Sequence, residues 1–154
     1  MRHLFQNLLR EGAKQRSRLT MSKYLTSIAL ICSGLGPLFI DVSITHLLNP
    51  DWDAHARVHE VWRLSTNSFI ASLGLFLIWI MQKELLAALL SLSLLLGFWA
   101  SIFLMPFYDG LAVGQGVDEL EPFGVPLNIF SFAVVSILQI VGLILMKRNN
   151  QLKL

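Results

Sequence analysis

The sequence predicts an all-α protein: an integral membrane four-helix bundle, up-down-up-down, with both termini cytoplasmic. Three observations lead there. Only 14% of the residues are charged, where soluble domains carry about 25%. The apolar residues form long unbroken runs, whereas a soluble core spreads them at helical or strand period. Lys and Arg gather at the two ends of the chain. The 154 residues make a single transmembrane domain.

The first helix is expected at about 24–46, over the run YLTSIALICSGLGPLFIDVSI that starts at Tyr24. At 1.5 Å per residue such a run crosses the roughly 30 Å of hydrocarbon. Pro37 and Asp41 fall near its far end. Intramembrane proline is tolerated where neighbouring groups satisfy the freed carbonyl. The run starts late and no small-x-small cleavage site follows it, so it reads as a span rather than a cleaved signal peptide. Cys32 lies inside it as a small packing residue.

The second helix is expected at about 54–82. Its apolar half, FIASLGLFLIWIM from Phe69, is too short to span alone. Asn49-Pro50 is a turn signal, and Asp51 or Asp53 can cap a helix that extends outward through HARVHEVWRLSTNS. The third helix, about 84–107, follows after Gln82-Lys83-Glu84, a link so short that helices two and three pair as a hairpin. The fourth is expected at about 124–147. Outer loops are left at about 47–53 and 108–123.

Charge sets the orientation. Arg2, Arg10, Lys14, Arg16 and Arg18 precede the first helix, and Lys147, Arg148 and Lys153 follow the last. Basic flanks are retained on the cytoplasmic side, and four spans return the chain to that side. Both ends are therefore expected on the cytoplasmic side of the membrane. Residues 1–23 form a basic segment in which Leu4–Leu9 has the pattern of a short amphipathic surface helix. A frayed tail is the competing reading.

This topology collects three of the four histidines at the outer end. It also places eight of the ten acids there: Asp41, Asp51, Asp53, Glu60, Asp109, Asp118, Glu119 and Glu121. His55 and His59 are four apart, so they share a helix face. Two imidazoles at that spacing can converge on one ion. Under the metal reading His46, His55 and His59, with Asp41 as an oxygen ligand, hold a divalent or transition-metal ion. Under the acid–base reading His59 exchanges protons with Glu60 or with Asp109, which follows the third helix; a histidine beside a carboxylate is the usual proton-transfer pair. The third reading is structural, with polar residues closing the end of the bundle and Glu60 pairing with Arg63. From Ala54 to Gln82 is roughly 42 Å of helix, so His55 falls at headgroup depth and His59 to Arg63 at its inner border. Ionisable groups there face the bundle or a water-filled cavity. Trp52 and Trp62 fit the interfacial aromatic belt. The loop at about 108–123 is glycine-rich and lacks the oxygen spacing of an EF-hand.

Inside the membrane Ser91, Ser93, Ser101, Asn128, Ser131, Ser136 and Gln139 supply hydrogen bonds between helices, or a path for a lipophilic molecule. There is no glycine-rich phosphate loop, Gly-x-Ser-x-Gly or Cys-x-x-Cys. No pair of mid-membrane histidines suits a haem, and nothing beyond the basic tail points to nucleic acid. The implied partners are the bilayer and a lipophilic small molecule. The pattern sets no oligomeric state.

Residues 45–62, THLLNPDWDAHARVHEVW, carry a resemblance. They look like a family of small bacterial four-helix membrane proteins that share His-x2-Asn-Pro-x-Trp-x2-His-Ala-Arg-x-His. Here the pattern falls on His46, Asn49, Pro50, Trp52, His55, Ala56, Arg57 and His59. The resemblance implies the four-helix layout, a multi-pass location in a bacterial inner membrane and the motif, and no particular activity. In architecture the chain is also similar to DoxX-like proteins and to the sterol isomerase and sigma-2 receptor group. Those isomerases work with carboxylates and a histidine in a lipid-accessible cavity, although their motif order does not match this one.

Overall fold

The computed structural model describes residues 20–114 and 120–148, together with Gly12 and Ser17. Four helices are long and apolar enough to cross a membrane: α1 Thr20–Ile40, α2 Ala54–Trp79, α3 Glu84–Leu104 and α4 Leu127–Arg148. A 3-10 turn, Met105–Phe107, prolongs α3, and another, Pro122–Gly124, precedes α4. No strand occurs among the described residues. The architecture is that of a small multi-pass membrane protein. Leu4–Leu9 lies outside the described residues.

The outward faces carry large apolar side chains. Phe69 is 75% exposed, Leu96 64% and Ile137 59%. In water each such side chain forfeits about 1.5–3 kcal/mol of burial, whereas a hydrocarbon surround removes that loss. Between helices in lipid, close packing replaces the hydrophobic effect as the source of adhesion.

That packing centres on α1, the most buried helix. Leu30, fully buried, lies against Gly74 of α2, and Gly34 lies against Ala71 and the Asn67 carbonyl. A side chain at Gly34 would overlap the Ala71 methyl, so glycine is what lets the two backbones meet. Leu30, Ala71, Ile78, Ala87 and Leu94 form one apolar cluster, joining α1, α2 and α3. Ala29, Leu95 and Val135 form a second, joining α1, α3 and α4, with Phe132 packed on it.

Pro37 does not end α1. The residues before it, Ile31–Leu35, form a π-helical turn in which the Gly36 N–H reaches the Ile31 carbonyl. The wider turn fits a proline ring that would otherwise press on the carbonyl four residues back. The helix stops at Ile40, six residues short of the expected end. Beyond it Ser43 and Thr45 hydrogen-bond to each other through their hydroxyls at 2.9 Å. Such local bonds, next to the β-branched Val42 and Ile44, compete with helix. Residues 41–48 therefore fold as consecutive turns, with the Leu47 N–H bonded to the Asp41 carbonyl.

The α2–α3 link is tight. Gln82 adopts φ 56°, an unusual conformation for a residue with a side chain. Its amide nitrogen donates to the Trp79 carbonyl, and its carbonyl oxygen accepts from Lys23 at the start of α1.

Candidate functional site

The predicted residues except Asp109 sit where α1 ends and α2 begins. Asn49 makes the turn, its side-chain oxygen accepting the Asp51 N–H at 2.9 Å. Asp53 is the helix cap and accepts the His55 N–H at 2.8 Å. Arg57, one turn into α2, reaches back to donate to the Pro50 and Trp52 carbonyls at 3.1 and 3.2 Å. The segment Asn49–Arg57 is thus a self-contained clasp that fixes how the chain enters α2. Spacing alone shows the histidine stripe but not this clasp, because it needs the arginine to fold backwards onto a loop.

On the same first turns, His55 and His59 meet. Their Nε2 atoms are 3.0 Å apart, with the rings perpendicular. One nitrogen of the pair donates and the other accepts, so the two imidazoles share one proton across the contact. Both residues are exposed. Trp62 lies beside His59, with ring centroids 6.1 Å apart.

The other candidates are engaged elsewhere. The Nδ1 of His46 is hydrogen-bonded to the Thr45 hydroxyl at 2.9 Å, and its ring meets Trp52 edge-on. Asp41 accepts from Arg63, and Arg63 also donates to both oxygens of Glu60. This three-residue ion cluster ties the end of α1 to α2. It lies about 24 Å along α2 from Trp79. Asp41 and Glu60 are mostly buried, while Arg63 is 43% exposed. One cation between two carboxylates leaves the cluster one negative charge in excess. Asp109 is exposed in a turn at φ 53°, and none of the described contacts joins it to a histidine. Asp118 and Glu119 lie outside the described residues. No group of three or more His, Cys, Asp or Glu side chains able to hold a metal ion occurs among the described residues. The geometry therefore brings His55 and His59 together but not His46, Asp41 or Asp109 with them.

Of the intramembrane residues expected to bond between helices, Ser136 does so, with Trp99, whereas Asn128 bonds to a loop. Ser93, Ser101 and Ser136 bond back to carbonyls of their own helices. Bonds between helices include Trp79 Nε1 to Ser27 and Trp99 Nε1 to Ser136, at 3.1 and 2.9 Å, together with the Ser68 hydroxyl to the Gly34 carbonyl and the Ser22 hydroxyl to Glu84. Asn128 donates to the Ala112 carbonyl and so fastens the loop before α4. Gln139 is fully buried, and neither its amide nitrogen nor its oxygen has a partner.

No family model, curated protein or solved structure matches the chain.

Proposed function

We propose that the chain is a four-span protein of the bacterial inner membrane whose outer face carries a two-histidine site for a divalent or transition-metal ion. The observation that carries this reading is the 3.0 Å approach of the His55 and His59 Nε2 atoms. An ion 2.0–2.1 Å from both nitrogens would see them at roughly 95°, a bite suited to the near-square or octahedral geometry of copper or nickel sites. Two protein nitrogens leave the remaining positions for water, a lipid headgroup or a lipophilic substrate. Open positions are what metal-assisted chemistry needs.

The orientation rests on the basic flanks of α1 and α4 and on the contact registers. Leu30 meets Gly74 while Gly34 meets Ala71, so position numbers rise on α1 as they fall on α2. Antiparallel first helices fit an up-down-up-down bundle, and the basic flanks argue for both ends in the cytoplasm. His55 and His59 then lie at headgroup depth on the outer side. On this reading the motif that resembles one of small bacterial four-helix membrane proteins has a physical meaning. Asn49, Pro50, Trp52 and Arg57 form the clasp that presents the histidine pair.

A second reading follows from the same contact. Without a metal, the shared proton makes the pair an acid–base group for a lipophilic molecule lying along Trp62. Glu60 is a poor partner in it, since Arg63 occupies both of its oxygens.

The test is a metal titration of the purified protein in nanodiscs, wild type beside His55→Ala/His59→Ala. Saturable binding of one Zn2+, Ni2+ or Cu2+ per chain, weakened at least tenfold in the variant, is expected. Equal binding in both, or none in either, defeats the metal reading.

A further inference from the structure

The histidine pair offers an ion two nitrogens, whereas a closed zinc site takes about four ligands. Among the described residues no third His, Cys, Asp or Glu side chain completes it. Both histidines are exposed, so the open positions of a bound ion face away from the bundle.

α2 has two opposite faces. Its buried residues are Leu64, Ala71, Gly74 and Ile78. Ala71 and Ile78 pack with Leu30 of α1 and with Ala87 and Leu94 of α3. Half a turn away, His55, His59, Trp62, Thr66, Phe69 and Leu73 are all exposed. These residues follow one another at intervals of four and three. At 3.6 residues per turn that alternation keeps them in one row, and it is the spacing with which two helices stay in contact over several turns. The histidine pair is the outer end of the row.

A membrane fixes how a second copy can approach. Copies inserted by the same charge rule point the same way. The two-fold axis of a symmetric pair then runs along the membrane normal, and equivalent residues lie at equal depth. Two copies meeting along this row bring each His55–His59 pair opposite its equivalent. Apolar side chains gain little by leaving lipid for each other, so the apolar part of the row does not drive the pairing. The ion does, because it exchanges water for two further imidazoles. Tetrahedral nitrogens at 2.0–2.1 Å from zinc stand roughly 3.3 Å apart, so the pair opens only slightly from its 3.0 Å separation.

We propose that the partner of the histidine site is a second copy of this chain, joined α2 to α2 by one Zn2+ held between two His55–His59 pairs. The proposal rests on the metal reading above and names what fills the open positions when copies share a bilayer. A chain alone in its nanodisc leaves those positions to water. Pairing closes them, and a closed zinc site is structural rather than catalytic. Zinc supply and protein density then set which form exists.

A Zn2+ titration of the wild-type protein in liposomes, where copies diffuse freely, reads the stoichiometry. One Zn2+ per two chains is expected, with binding weakened at least tenfold in His55→Ala/His59→Ala. Nitroxide labels read the geometry. In a Cys32→Ala background they are placed at Phe69→Cys, in the row, or at Ile137→Cys on α4, which packs against α1 and α3. Zn2+ should bring labels at 69 into dipolar coupling, at a shorter separation than labels at 137, and a chelator should reverse it. Adding His55→Ala/His59→Ala, which changes only exposed positions, should abolish the coupling. One histidine-dependent Zn2+ per chain without coupling at 69 overturns this proposal and leaves the metal reading standing. Absence of histidine-dependent binding removes both. Coupling that is closer at 137 than at 69, or that persists without the histidines, places the interface elsewhere and also overturns it.

Discussion

Replacing Gly34 by alanine should loosen α1 from α2 more than any other single-methyl change in the bundle. The new Cβ would overlap the Ala71 methyl and lie 2.8 Å from the Asn67 carbonyl oxygen and 3.1 Å from Leu94 Cδ1, where ordinary contact begins at 3.4 Å. A backbone carbonyl cannot step aside as a flexible side chain does, so the helices must separate. Overpacking of this kind costs about 1–3 kcal/mol. Gly97 of α3 is the control, since nothing lies within 4 Å of a Cβ built there. Alanine at 97 should be neutral or stabilise by about 0.5–1 kcal/mol, through the smaller entropy lost on ordering. Unfolding in mixed micelles, followed by tryptophan fluorescence, gives both values. Adding Ala71→Gly to Gly34→Ala removes the methyl overlap but leaves the Asn67 carbonyl, so rescue should be partial. Equal stabilities for the alanine variants at 34 and 97, or complete rescue by Ala71→Gly, would refute a backbone-to-backbone contact at Gly34.

Other outcomes follow from the same structure. Arg63→Ala strands Asp41 and Glu60 without their cation, and should destabilise by roughly 1–3 kcal/mol, between the values for exposed and buried pairs. Asp41→Asn should cost less, because Arg63 keeps Glu60, and the reverse order in thermal melts would contradict the cluster. Arg57→Ala should speed amide exchange over residues 49–53 by releasing the carbonyls of Pro50 and Trp52, and unchanged exchange would show the clasp to be idle. In a Cys32→Ala background, a membrane-impermeant maleimide should label Asp51→Cys but not Lys83→Cys in intact cells, and the opposite pattern would invert the proposed orientation.

The four spans were legible from hydropathy because membrane helices carry their signal in the number of consecutive apolar residues. Their ends were less so. α1 stops at Ile40 because Ser43 and Thr45 hydrogen-bond locally, a competition that hydropathy does not register. The pairing of Glu60 with Arg63 follows from their spacing of three. The partnership of Arg63 with Asp41, 22 residues away, needs the α1–α2 crossing. At the candidate site, helical period predicts that His55 and His59 share a face, as they do. It says nothing of whether His46 or Asp109 turns toward them, since both lie in irregular segments whose path depends on particular hydrogen bonds. The interior position of Gln139 was only half visible. Asn128 and Gln139 are three turns apart and suggested one shared face, yet Asn128 holds a loop while Gln139 lies in the interior.

The convergence of His55 and His59 on one ion is the claim on which the functional account stands. Electron paramagnetic resonance of the Cu2+-loaded protein in nanodiscs tests it most directly, because hyperfine coupling counts the imidazole nitrogens on the metal. The account predicts coupling to two imidazoles in the wild type, to one in either His55→Ala or His59→Ala, and no change in His46→Ala. A spectrum without imidazole coupling, or one that loses a nitrogen in His46→Ala and none in His55→Ala, would contradict it.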